Sequence, residues 1–195
     1  MQRLSSDSLD DVVTTPYFLN IHSPTNITPY LEPYRSAFHK DMNLFFLSEG
    51  LDQIMVWNKI TYGEWHRLVL GTPSAREEGK YEEIIGIGVL PWDKSLWIRM
   101  IQGADQEHLP RNFGYYALKN WPLAAINVVE DIAFDLQFEE VRIRKAQDQP
   151  YFHRPYGVPQ DKIHLVQARL IERYNQNAEM LGFIEEHNCY SKPIR

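Results

Sequence analysis

The chain has 195 residues, a formal net charge of −6, 44% hydrophobic and 24% charged residues, and one cysteine, Cys189. This length fits a single ordinary domain that buries its core without disulfides or metal, and the mix is globular rather than disordered. The acidic balance argues against nonspecific nucleic-acid binding and an anionic membrane surface, one cysteine makes no internal disulfide, and no stretch approaches the roughly 20 apolar residues of a membrane span.

Residues 1–15 are polar, with no apolar run of the kind a secretory signal needs. They are expected to form a loose arm before a single domain over 16–195, and a cytoplasmic location is expected. A helical region follows near Thr28 to Lys40, with Thr28 as a cap and Pro29 in the first turn. Pro33 then predicts a short or broken helix. Three apolar runs, Asn43–Leu47, Gln53–Trp57 and Trp65–Leu70, read as strands separated by turn residues. Residues 71–80 are a polar loop.

Tyr81–Leu90 and Ser95–Gln102 read as a hairpin joined by the turn residues Pro91 to Lys94. In the second strand Leu96, Ile98 and Met100 alternate with Trp97, Arg99 and Ile101, which predicts one apolar face and one mixed face. Residues 103–120 form a long segment containing Pro110 and Gly114, and loops of that length often carry function. Trp121–Gln137 predicts a helix whose stripe is Trp121, Ala125, Val128, Val129, Ile132, Ala133 and Leu136. Phe138–Arg144 reads as a strand with Val141 and Ile143 on one face. Gln149–Pro159 is a loop rich in proline and aromatics that walls a pocket, docks a partner or closes a sheet edge. Lys162–Leu181 predicts a second long helix, with Asp161 as its N-cap and Gly182 at its end, and Ile184–Tyr190 a final strand.

The run Tyr174 to Gly182-Phe183 and the strand after it resemble the closing helix and strand of the GCN5-related N-acetyltransferase superfamily, which often ends in Leu-Gly-Phe and a strand. Val128 to Ile143 resembles its central helix and following strand, and Tyr81–Gln102 the two strands before them. The resemblance spans roughly residues 81–190. It implies an α/β protein of the α+β type: a mostly antiparallel mixed sheet flanked by helices, as in acyl-CoA N-acyltransferases. It also implies transfer of an acyl group from acyl-CoA to the amine of a small molecule or peptide. The superfamily binds the pyrophosphate of acyl-CoA through Arg/Gln-x-x-Gly-x-Gly/Ala. The nearest match here is Arg111-Asn-Phe-Gly114-Tyr-Tyr, with Tyr116 in place of the second small residue.

The resemblance makes Arg111, Gly114 and Asn120 candidates for holding acyl-CoA. Arg144, in a basic group with Arg142 and Lys145, joins them as a phosphate contact or as part of a solvated face. Superfamily members often use a tyrosine on the last helix as the acid. The usual position here is Ala178, and Tyr174 lies one turn earlier, either as that acid or as a core tyrosine with a bonded hydroxyl. Gln102 is a candidate for orienting water or substrate, since the strand carries no Glu, and Asp148 is a loop acid beyond a strand end. The seven histidines show no metal-ligand spacing, so no metal is expected. No nucleic acid and no membrane span are expected as partners, and a homodimer is left open. The alternative is a non-catalytic binding protein that keeps an acyltransferase-like fold.

Overall fold

Strands β1 (Thr25–Asn26), β2 (Asn43–Val56), β3 (Lys59–Pro73), β4 (Tyr81–Trp92), β5 (Ser95–Gly103), β6 (Glu140–Arg144), β7 (Ile184–Glu185) and β8 (Cys189–Pro193) form one sheet in the order β1-β2-β3-β4-β5-β6-β8-β7. These assignments come from a computed structural model that describes residues 25–56, 59–73, 81–103, 120–153, 155 and 158–194. Every pairing is antiparallel except β5 with β6, so the sheet is mixed and mostly antiparallel. A parallel pair needs a long crossover, and helix α1 (Trp121–Asp135) lies on that connection. The fold class is therefore α+β, as expected. The arm expected over residues 1–15 lies outside the described residues.

Register explains the core. On the parallel pair, Leu96 faces Val141 and Ile98 faces Ile143, and all four side chains are no more than 1% exposed. The same buried cluster takes in Leu44, Leu68, Leu70, Ile85 and Ile87 from the antiparallel strands. The predicted stripe of α1 is buried along its whole length, together with Ala124 and Ile126. Its polar residues bind neighbours instead: Asp131 and Asp135 accept the hydroxyls of Tyr34 and Tyr30 at 2.8 and 2.7 Å, and Glu130 pairs with Lys192 at 2.8 Å. Those bonds tie α1 both to the segment Thr28–Ala37 and to β8.

Several predicted elements take a different form. Thr28–Ala37 is a 3-10 helix, and Pro33 inside it removes an amide donor from the α-helical ladder, with a ring that would collide with the preceding turn. Thr28 does not cap it. Its hydroxyl accepts the Leu44 N–H at 3.0 Å and so pins the helix start to β2. The run Asn43–Leu47 and residues 53–56 of the next run merge into β2, with a register shift between Ser48 and Leu51, and Trp57 lies outside the described residues. The predicted stretch 162–181 is composite: a 3-10 turn at Gln160–Lys162, an α-helix over Ile163–Ile171, a π turn over Glu172–Gln176 and a last α-helical turn over Asn177–Met180. Asp161 lies inside the 3-10 turn and caps nothing. The apolar residues Ile163, Val166, Leu170 and Ile171 are only half-buried, while Tyr174 and Ala178 are buried. The expected single strand over Ile184–Tyr190 is instead the pair β7 and β8, closed by the Glu186 N–H on the Cys189 carbonyl at 2.8 Å.

At the end of the composite helix Gly182 has φ +78. The Phe183 N–H reaches the Ala178 carbonyl and the Gly182 N–H the Glu179 carbonyl, both at 3.0 Å, closing the last turn in the left-handed manner that glycine permits. An added Cβ would meet nothing within 4 Å, so the penalty of Gly182→Ala is backbone strain alone. It is expected to cost roughly 1–2 kcal/mol, read as a lower midpoint in urea with an unchanged m-value.

Candidate functional site

The alternation in β5 breaks at Arg99. Val89 pairs with Ile98 and Gly88 with Met100, which leaves Arg99 as one extra residue on β5, a β-bulge. A one-residue insertion moves every following side chain to the other face. Ile101 therefore joins Leu96 and Ile98 in the core at 1% exposure, while Met100 is only half-buried. This corrects the simple alternation, which put Met100 on the apolar face and Ile101 on the mixed one.

The parallel ladder ends at the same place. Ile98 with Ile143 is its last pair, so β5 runs on as Arg99–Gly103 without β6 beside it. Parting strands leave backbone donors and acceptors without a ladder. Here the π turn supplies substitutes: the Tyr174 hydroxyl accepts the Ile101 N–H at 2.7 Å, and Arg173 Nη1 donates to the Ile101 carbonyl at 3.1 Å. One residue further, Asn175 Oδ1 accepts the Ala146 N–H at 2.9 Å, just beyond the end of β6. The wider π turn brings three successive side chains to the mouth between two strands, and such turns are frequent at functional sites.

Tyr174 is 3% exposed. Burial raises its phenol, an effect partly offset by the Ile101 hydrogen bond and by the nearby charges of Arg173 and Arg144. The phenol therefore stays protonated at neutral pH. That proton makes only a weak hydrogen bond, because the hydroxyl's donation to the Ile101 carbonyl spans 3.4 Å.

Arg144 ends β6, half-buried, with its guanidinium lowered by desolvation and supported by Asp148. Asp148 closes the 3-10 turn Ala146–Asp148 and is exposed. Gln102 is also exposed and follows Ile101 directly. Tyr174, Arg144 and Asp148 thus lie around one mouth, and Gln102 adjoins it along β5. Asn120 is exposed at the start of α1, where its side chain makes no capping bond. Arg111 and Gly114 lie outside the described residues.

Sequence reasoning missed two residues at this mouth. Arg99 is held down to about 10 by burial and then by the like charge of Arg144. Arg173 stacks on the Trp121 ring, 5.4 Å from its centroid, and so joins the start of α1 to the site. A charged residue inside an apolar strand was the one signal for Arg99. The bulge that gives it meaning leaves no mark in a single sequence.

The basic group read from the strand divides in the structure. Arg142 stacks on Trp97 at 5.4 Å and pairs with Glu140 at 2.7 Å, and Lys145 pairs with Glu185 at 2.7 Å. Cys189 is buried with Sγ 3.6 Å from Glu186, and burial pushes its thiol up to about 11, the opposite of what a nucleophile needs. In the region 149–159, Pro150–His153 forms a single helical turn that the sequence did not predict. Among the described residues no helix is long and apolar enough to cross a membrane.

Strand order, register and flanking helices define the class: an α+β protein with one parallel pair in an otherwise antiparallel sheet. No family model matches the chain, and no curated protein matches its sequence. Among solved structures it is similar to the crystal structure of Tetrahymena GCN5, at 10% sequence identity and a TM-score of 0.34, over 67% of this chain and 69% of that one.

Proposed function

We propose that the chain is an acyl-CoA-dependent N-acyltransferase that joins its two substrates at the mouth between β5 and β6. The observation that supports this reading is the parting of the parallel strands after Ile98 and Ile143, with a protonated, buried tyrosine bonded to the β5 backbone beyond the end of the ladder. An acyl-CoA arm carries amide groups, and a strand edge past the end of its ladder suits such a ligand. In the reaction the amine nitrogen attacks the thioester carbonyl carbon, a C–N bond forms and the C–S bond breaks. The leaving thiolate takes a proton and the attacking nitrogen gives one up. Tyr174 is the proposed acid, giving its proton to the sulfur while its oxygen keeps the Ile101 N–H. Asp148, or water held by Gln102, receives the amine proton, and Arg111, Gly114, Asn120 and Arg144 are the proposed contacts to the carrier.

The rival reading, a non-catalytic binding protein, is favoured by the same hydrogen bonds read differently: Tyr174 and Arg173 already satisfy Ile101, as they would in a closed domain. Calorimetry with acetyl-CoA, followed by mass spectrometry of a panel of amines, separates the two. Binding is expected, with acyl transfer that falls by about 10²–10⁴ in kcat in Tyr174→Phe while the Kd for acetyl-CoA holds. Silence in the calorimeter at about 1 mM acetyl-CoA would remove the coenzyme from the proposal.

A further inference from the structure

The residues that follow the last pair of the parallel ladder are Arg99 on β5 and Arg144 on β6. Two cations therefore face the same mouth at the point where the strands part, and Arg173 comes to it from the π turn, bonded to the Ile101 carbonyl. Several other cations of this chain have carboxylates: Arg35 pairs with Glu32, Lys94 with Glu139, Arg142 with Glu140, Lys145 with Glu185 and Lys192 with Glu130. Among the described residues neither the Arg99 nor the Arg144 side chain makes a hydrogen bond or an ion pair, although both residues are half-buried. Asp148 acts on Arg144 only through its field, and no described acid offsets Arg99. Two partly desolvated like charges with only the field of Asp148 to offset them are unfavourable. A guanidinium pair gains most from a planar or tetrahedral oxyanion bound through paired N–H donors.

We propose that Arg99 and Arg144 form an oxyanion-binding subsite at the β5–β6 mouth, taking a carboxylate or phosphoryl group of a small ligand whose other end lies against Tyr174. Resting on the acyltransferase reading, this deepens it in one of two ways. The anion is the terminal carboxylate of a dicarboxylic acyl group, such as succinyl, or it is a phosphate of the carrier.

The full-length chain is titrated calorimetrically with succinyl-CoA, acetyl-CoA, succinate and inorganic phosphate, and the titrations are repeated with Arg99→Gln, Arg144→Gln and the exposed control Arg169→Gln. The subsite predicts an affinity loss of about tenfold or more in either mouth variant and none in the control. It also predicts a Tm in the variants no lower than in the native chain, since a repulsion is relieved. A preference for succinyl-CoA over acetyl-CoA that vanishes in the variants identifies the acyl carboxylate. Equal binding of the two thioesters, weakened alike in both variants and competed by phosphate, identifies the carrier phosphate. If succinate or phosphate binds through these arginines while neither thioester binds, the subsite stands and the acyltransferase reading falls. Thioester binding indifferent to both substitutions overturns the subsite and leaves that reading intact, and no binding of any probe overturns both.

Discussion

Replacing Ile143 by alanine is expected to destabilise the protein by about 2–5 kcal/mol. Ile143 is fully buried on an interior strand of the sheet, paired with Ile98 on one side and Tyr190 on the other. Neither neighbouring strand can close on the space it would leave, because each is held by its own ladder. The loss therefore includes the cavity as well as the lost burial. Ile184 carries the same side chain at 66% exposure on β7, and Ile184→Ala should move stability by no more than about 0.5 kcal/mol. Urea denaturation of the two variants measures the contrast. Equal midpoints would mean that β6 is not the buried interior strand its register describes.

The second large effect is a loss of stability in mild acid that traces to His66. It sits on β3, fully buried, its ring 5.1 Å from that of Phe46. Burial lowers its pKa from 6.5 to about 4. In the unfolded chain the imidazole takes up a proton as pH falls through about 6.5, whereas in the folded chain it stays neutral until about 4. The unfolded state thus binds more protons across that window, and stability falls as pH drops through it, by roughly 3 kcal/mol when complete. At pH 7.5 the term is absent. In His66→Gln, which has no group to titrate there, the pH dependence between 6.5 and 4 should flatten by that amount relative to the native chain. Parallel profiles for the two proteins would show that His66 does not carry the acid sensitivity.

Both effects come from burial, and burial was the part of this protein most legible in the sequence. The stripe of α1 follows from 3.6-residue spacing, the core pairs of β5 and β6 from two-residue alternation, and the left-handed close at Gly182 from the one residue type that adopts it without cost. The strand–strand–helix–strand order followed from the same rules, because each element carries its period in its own residues. The failures have a common origin. Pro33 announced an interrupted helix but not which helical form would replace it. The π turn at Glu172–Gln176 has no compositional mark, since its residues read as ordinary helix formers.

The candidate site depends on just those unmarked features. Tyr174 and Arg144 were visible as residues, yet as far as the sequence showed, each was also a core phenol or a surface cation. The amino-acid sequence by itself determined the α+β class, the identity of the core and the placement of most elements, because local periodicity and turn chemistry act over a few residues. Only the tertiary structure decided that Arg99, Arg144, Arg173 and Tyr174 meet at one mouth. That meeting needs a bulge in one strand, the parting of a parallel pair between positions 98 and 143, and a widened helical turn some 30 residues further along the chain. Each is a register event, fixed by how distant segments pack against one another rather than by the preferences of any one of them.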